Sequence, residues 1–173
     1  MSRPARDLSA ANASWARGLA IAIFGFAALL TVQTAEAAKP GDCVPSTIDE
    51  DWLIAMETDG GHTLDRHVSR TAIELSERLK REPGIPAASS FKDREVATRA
   101  LSLLLLPEET DLDGWADNAG RGERAQLRMG FKEPIGVTVQ RGNASAVPAY
   151  NMVAILMAKG DGSCLLLTAY PTK

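Results

Sequence analysis

The chain contains two histidines, His62 and His67, and an arginine, Arg78, that follows the second histidine by eleven residues. Imidazole is the side chain best suited to transferring protons near neutral pH. A guanidinium is permanently charged and can hold a phosphate through two parallel hydrogen bonds. A proton-transfer group and an anion-binding group that are close in sequence are two of the parts that a phosphodiester-cleaving site needs.

The same three residues also have a structural interpretation. A histidine at a helix terminus near an exposed arginine is common, and spacing alone does not distinguish it from a catalytic pair. On a helix, His62 and His67 would point about 140° apart and would not share a face. Unless the segment is irregular, we therefore expect at most one histidine to be central to a site. Spacing alone does not decide which of the two histidines that is.

A helix that begins at Thr71 is expected to position Arg78. Thr71 and Glu74 have the spacing of a capping box, and Pro83-Gly84 ends the helix. One face is apolar and has the spacing of a core-facing stripe, formed by Ala72, Leu75, Ser76 and Leu79. Arg78 lies on the flank of this stripe, from which its head can reach a cleft. His67 lies just before the helix, so we expect both side chains to contribute little to folding.

The remaining pattern predicts an α+β fold with helices first and antiparallel strands afterwards. Further helices are predicted over 49–58, from a capping-box-like start at Ser90–Asp93 to Pro107, and over 108–117. Beyond that point the apolar residues alternate. The predicted strands cover residues 126–131, 135–140, 150–158 and 164–170. In the last strand Thr168 and Tyr170 face the same side, with their hydroxyls about 7 Å apart.

The N-terminal residues predict a leader for export. Basic residues precede an uncharged apolar run over 19–32, which is shorter than the roughly 20 residues that a bilayer span needs. Ala35-Glu36-Ala37 then fits a secretory cleavage site. We predict cleavage after Ala37, export to the periplasm or the medium, and no stable membrane span in the processed chain. An uncleaved N-terminal anchor is the alternative.

Three regions follow from this division. They are a signal peptide over 1–37, a linker or arm over 38–50, and one folded domain over 51–173. The net charge of −3 argues against indiscriminate binding to nucleic acid. Lysine and arginine are nevertheless frequent between His62 and Arg99, so a local basic cleft on an acidic body fits the sequence.

The two cysteines, Cys43 and Cys164, lie at opposite ends of the processed chain. In an oxidising compartment an even pair favours a disulfide, whereas two small buried thiols are the alternative. Their spacing, with two histidines five apart, does not match a metal site. No phosphate-cradling loop or nucleotide-binding fingerprint is present. The sequence therefore predicts neither a metal nor a cofactor.

Three segments, taken together, resemble a known family. They are Gly60-Gly61-His62-Thr63-Leu64 with His67-Val68, then Ala87-Ala88-Ser89-Ser90-Phe91-Lys92-Asp93, then Leu167-Thr168-Ala169-Tyr170-Pro171. In this order the segments are similar to the bacterial ribonuclease A-like toxin domain. That family is found at the C-terminal ends of contact-dependent growth inhibition proteins and other polymorphic toxins. The resemblance covers roughly residues 51–173.

The resemblance implies a catalytic set of His67, Arg78, Thr168 and Tyr170, and it leaves His62 as a structural loop residue. It implies a ribonuclease A-like fold, in which N-terminal helices pack on a curved antiparallel sheet. The implied reaction is metal-independent RNA cleavage through a 2′,3′-cyclic phosphate. A toxin of this kind also implies a cognate immunity protein as partner.

Two features depart from the family pattern. Ser69 stands where a glycine is expected after His-Val. Family members usually end a large exported protein, whereas this chain has its own predicted leader. Two other functions stay open at this stage: an exported non-catalytic binding protein on the same scaffold, and a nuclease that acts on DNA. An assay that compares RNA with DNA separates all three.

Overall fold

A computed structural model describes residues 42–143 and 145–173. The predicted leader and its cleavage site after Ala37 lie outside the described residues. Within the described ranges, no helix has both the length and the apolar character that crossing a membrane requires.

The described chain has five α-helices, and its N-terminal half is largely helical. The helices are α1 (Glu50–Thr58), α2 (Thr63–His67), α3 (Ala72–Arg81), α4 (Arg94–Leu105) and α5 (Glu109–Asn118), with a short 3-10 turn at Leu106–Glu108 before α5. The predicted capping box of α3 is confirmed, because Thr71 Oγ1 accepts from Glu74 N at 3.2 Å and Glu74 Oε2 accepts from Thr71 N at 2.7 Å. Leu75 and Leu79 are buried as the stripe predicts.

Six strands form two antiparallel sheets. The strands are β1 (Ala87–Phe91), β2 (Arg124–Gly130), β3 (Gly136–Gln140), β4 (Ala146–Ala149), β5 (Asn151–Ala158) and β6 (Cys164–Thr172). One sheet has the order β1-β3-β4 and the other β2-β5-β6. The predicted α+β class and the antiparallel strands are confirmed, although the strands divide between two sheets. Strand β6 belongs to the second sheet and also contacts β1 and β3, so it joins the two sheets.

The expected helix start at Ser90 is wrong. Ser90 lies in β1 and pairs with Val137 of β3, and α4 begins only after its N-cap Asp93. The Ser90 hydroxyl instead accepts from Arg70 N at 2.8 Å and donates to Phe91 O at 2.8 Å. Tertiary partners therefore satisfy this buried hydroxyl, and no helix cap is needed to do so.

The segment that precedes α1 packs into the core as an extended arm. Cys43, Val44 and Ile48 are buried. The backbone N–H groups of Cys43 and Val44 donate to Asp113 Oδ1 at 2.8 and 3.4 Å. Cys43 is bonded to Cys164 across 121 residues, which attaches the arm to the first residue of β6. Of the two alternatives for the cysteines, the structure has the disulfide.

Candidate active site

His67 is the last residue of α2, and contacts from three directions fix this short helix. The Glu57 carboxylate of α1 accepts from Leu64 N and Asp65 N, each at 2.9 Å, at the N-terminal end of α2. Thr63 Oγ1 accepts from Ala169 N at 2.8 Å, which joins α2 to β6. A bridge between Val68 and Phe91 joins its C-terminal end to β1. The helix therefore holds His67 between β1 and β6.

The His67 ring is neutral and has a defined tautomer. Its Nδ1 lies 2.9 Å from Ser89 O, and a carbonyl oxygen can only accept, so Nδ1 carries the hydrogen and Nε2 carries the lone pair. Burial lowers the pKa of His67 to about 3, the Ser89 bond opposes this shift, and the Arg78 charge adds to it. At neutral pH the ring is therefore unprotonated, and its lone pair on Nε2 is free to accept a hydrogen bond or a proton from a reacting group.

The expectation that His67 contributes little to folding is wrong. The residue is only 7% exposed, and it is bonded to Ser89 O. The Tyr170 ring also packs against it, with the two centroids 5.3 Å apart. The place of His67 just before the Thr71 cap gives no sign of this burial, because the residues that cover it, Ser89 and Tyr170, are distant in sequence.

Arg78 presents its guanidinium to His67 from α3. Its side chain is 14% exposed, and Nε donates to Glu82 Oε1 at 3.2 Å, one helical turn away. One terminal nitrogen donates to Arg66 O at 3.3 Å and lies 3.5 Å from His67 Nε2. The Glu82 bond therefore orients the fork so that its charge lies beside the imidazole lone pair. Glu82 was not identified from the sequence, although its i, i+4 spacing from Arg78 is a detectable signal.

Thr168 and Tyr170 extend from β6 toward the same site, as the strand pattern predicts. Thr168 is 6% exposed, and its hydroxyl has no hydrogen-bond partner among the described residues. A buried hydroxyl without a partner costs about 1–3 kcal/mol, so such a group commonly awaits a ligand or a water. The tilted Tyr170 ring shields one side of His67 from solvent.

The four predicted residues line one cleft of about 440 Å³. Its polar walls also include Ser89, Thr138 and Gln140, and its apolar wall is formed by Ile85, Pro86 and Pro171. The cleft therefore combines an imidazole, a guanidinium and an unpartnered hydroxyl with room for a small polar substrate. This placement is geometric, and the catalytic role of each residue stays a prediction.

His62 also lines this cleft, which the sequence interpretation did not anticipate. The helical geometry that separates His62 from His67 does not apply, because α2 begins at Thr63 and His62 has φ −149° and ψ 34°. The segment is therefore irregular at His62, and this is the condition under which both histidines can contribute to one site. Burial lowers the pKa of His62, and the nearby Arg66 charge lowers it further.

Gly61 allows the histidine segment to approach β6. A Cβ at this position would lie 2.6 Å from Leu166 O and 2.7 Å from Met56 O, both of them backbone atoms. No side chain fits at such distances. The absence of one lets His62 N donate to Leu167 O at 3.1 Å, beside Thr168.

Ser69 has a left-handed backbone, with φ +57°. A non-glycine residue in this region costs roughly 1–2 kcal/mol, which gives a physical reason for the glycine expected after His-Val. The conformation lets the chain turn from α2 toward α3 while Ser69 N donates to Phe91 O at 3.1 Å. The departure therefore leaves the local path intact.

Within residues 42–143 and 145–173, no group of three or more His, Cys, Asp or Glu side chains could hold a metal ion. The chemical groups that the cleft offers are the imidazoles, the guanidinium and the hydroxyls described above, together with the Gln140 amide and the Lys173 amine.

Five helices packed with two antiparallel sheets in the described residues, with a cleft beside the last strand, define a ribonuclease A-like fold. The chain belongs to the family described as the bacterial CdiA-CT RNAse A domain, whose model matches residues 61–171. This range contains all four predicted catalytic residues. The resemblance inferred from three short segments is confirmed.

A solved structure shows the same similarity. The chain is similar to a chain in the crystal structure of a CdiA-CT/CdiI complex from Y. kristensenii 33638, with a TM-score of 0.58 and 28% sequence identity. The match covers 65% of this chain and 100% of the solved chain. No curated protein sequence shows a significant match to this chain.

Proposed function

We propose that the chain is an exported, metal-independent endoribonuclease toxin that cleaves RNA through a 2′,3′-cyclic phosphate. The observation that carries this proposal is the convergence of His67, Arg78, Thr168 and Tyr170 on one cleft. Family membership supports ribonuclease chemistry, and the geometry supports roles for the individual residues.

His67 would be the general base of this reaction. Its Nε2 lone pair would take the proton from the ribose 2′-hydroxyl as that oxygen attacks phosphorus. The Ser89 bond holds the ring in the tautomer that this step needs. The Tyr170 ring, which packs against the imidazole, would keep it in position.

Arg78 would stabilise the negative charge that develops on the phosphate. A donor that is already oriented requires no reorganisation during the reaction, and the Glu82 bond provides that orientation. The unpartnered Thr168 hydroxyl would donate to a phosphate oxygen or position the base. Substrate would then satisfy a buried group that has no partner among the described residues.

Cleavage of RNA by the purified exported protein tests this function. We expect degradation of RNA but not of DNA, because only RNA has the attacking 2′-hydroxyl, and we expect a chelator to leave the rate unchanged. Arg78→Ala should reduce kcat/KM by about 10²–10³-fold, as for loss of an oriented donor to a developing anion. Arg78→Lys keeps the charge but loses the fork, so an intermediate rate is expected. Binding of RNA without any cleavage would instead favour the non-catalytic alternative.

Export is supported by the Cys43–Cys164 disulfide, since such bonds form and persist mainly outside the reducing cytoplasm. Export of the processed chain is therefore part of the proposal.

A cognate immunity protein is the proposed partner. The similar Y. kristensenii structure is a complex of CdiA-CT with CdiI, and a ribonuclease endangers the cell that makes it. We expect the partner to present carboxylates to Arg78 and its basic neighbours in place of phosphate. The measurement is inhibition of RNA cleavage by co-expressed products of neighbouring genes. A chain that is harmless alone in an oxidising cytoplasm would remove the need for this partner.

A further inference from the structure

Cleavage of RNA requires two proton transfers, and His67 by itself can perform only one of them. A proton must leave the 2′-hydroxyl, and another must reach the departing 5′-oxygen. His67 has its one hydrogen on Nδ1, where it is donated to Ser89 O, and its Nε2 lies 3.5 Å from the Arg78 guanidinium. That arrangement suits a base and leaves no spare proton for the leaving group.

His62 is the other imidazole in the cleft. It is half-buried and lines the same cavity as His67, Arg78 and Thr168. Its backbone N–H donates to Leu167 O, which fixes its position beside Thr168. Among the residue types that line this cleft, imidazole is the one that exchanges protons near neutral pH.

A structural role for the His62 side chain is not evident. His62 occupies the N-cap position of α2, yet its side chain makes no cap hydrogen bond. The Glu57 carboxylate accepts from Leu64 N and Asp65 N instead. For the part of the chain that the structure describes, no hydrogen bond or ion pair of the His62 imidazole is recorded. The imidazole is therefore available to a substrate.

Building on the proposed ribonuclease function, we infer that His62 is the general acid that protonates the 5′-oxygen leaving group while His67 acts as the base. In this step the bond between O2′ and phosphorus forms, and the bond between phosphorus and O5′ breaks. The 2′-hydroxyl proton goes to His67 Nε2, and the His62 imidazolium proton goes to O5′. The products are a 2′,3′-cyclic phosphate, a 5′-hydroxyl, protonated His67 and neutral His62.

Opposing contributions set the pKa of His62, and their net effect lowers it. Burial is the largest cause that lowers its pKa, and the charges of Arg66 and Arg78 lower it further. The carboxylates of Glu57 and Asp65 raise it, each by less than burial lowers it. A lower pKa makes the imidazolium a stronger acid. The phosphate of a bound substrate would favour the protonated form while the complex persists, since an adjacent anion raises a histidine pKa.

Two substrates that differ only in their leaving group test this assignment. One is a dinucleoside phosphate, whose 5′-alkoxide must be protonated as it departs. The other is the matching nucleoside 3′-(4-nitrophenyl phosphate), whose phenolate departs without a proton. Both carry the base that the wild-type protein cleaves fastest. The variants are His62→Ala and His62→Asn, the second of which keeps a residue favoured at N-caps.

We expect both His62 variants to lose about 10²–10⁴-fold on the dinucleoside phosphate and to stay near the wild-type rate on the nitrophenyl ester. His67→Asn should lose activity on both substrates, because both need the base. Equal loss on both substrates by the His62 variants would overturn the assignment, as would no loss on either. A wild-type protein that cleaves neither substrate would overturn the ribonuclease function itself, and this assignment with it.

Discussion

Replacing His67 by alanine is expected to reduce the rate of RNA cleavage by about 10²–10⁴-fold, the usual contribution of one general acid–base group. The lone pair of His67 Nε2 faces Arg78 in the cleft, and the alanine side chain offers no base in its place. The measurement is the initial rate of RNA cleavage by the purified protein. Because the pKa of His67 is about 3, the acidic limb of wild-type kcat/KM should lie far below pH 6.5.

A folding control is necessary, because His67 is buried. His67→Ala leaves Ser89 O without its donor, which costs about 1–3 kcal/mol in stability. His67→Asn is the matched control, since its amide can still donate to Ser89 O but cannot take a proton at neutral pH. We expect this variant to melt closer to the wild type and to be equally inactive. A folded His67→Asn protein with wild-type activity would show that His67 is not the base.

Removing the Cys43–Cys164 disulfide is expected to lower the free energy of unfolding by about 4–5 kcal/mol, since the bond closes a loop of more than 100 residues. The bond spans 121 residues and attaches the arm to β6. Both residues are buried, so alanine is the better replacement for each, because a buried serine would need a hydrogen-bond partner. Chemical denaturation of the Cys43→Ala, Cys164→Ala double variant measures the effect.

The control is denaturation with and without a thiol reductant. The reductant should destabilise the wild type and leave the double variant unchanged. Thiol labelling of the unfolded, unreduced wild type, collected outside the cytoplasm, should detect no free cysteine. Its intact mass should correspond to residues 38–173. Two reactive thiols would contradict the disulfide, and a mass that includes residues 1–37 would contradict cleavage after Ala37.

Local signals in the sequence were sufficient for the elements that local interactions determine. The α3 helix was predicted from Thr71 and Glu74, which are three residues apart and bond to each other. The facing of Thr168 and Tyr170 was predicted from the period of a strand. Three segments in a fixed order were sufficient to identify the family to which the chain belongs.

Features that depend on distant partners were not predicted. Strand β1 was missed because the capping-like pattern at Ser90–Asp93 indicates a helix, whereas pairing with β3 and a bond to Arg70 N determine the outcome. The burial of His67 depends on Ser89, which is 22 residues away. The entry of His62 into the cleft depends on where α2 begins, and the Glu57 carboxylate at the start of that helix comes from α1.

Gly61 affects how a map of inactivating substitutions in this chain must be interpreted. A methyl group at this position would meet two backbone oxygens at under 3 Å, and a backbone atom cannot move aside as the end of a flexible side chain can. Even alanine would push the His62 segment away from the strand that holds Thr168. A genetic screen for inactive variants would therefore recover Gly61 together with His67, although Gly61 contributes no chemical group. Intolerance of substitution in this segment can therefore mean that a residue keeps the backbones close or that its side chain takes part in the reaction. Cleavage rates on defined substrates distinguish these two causes.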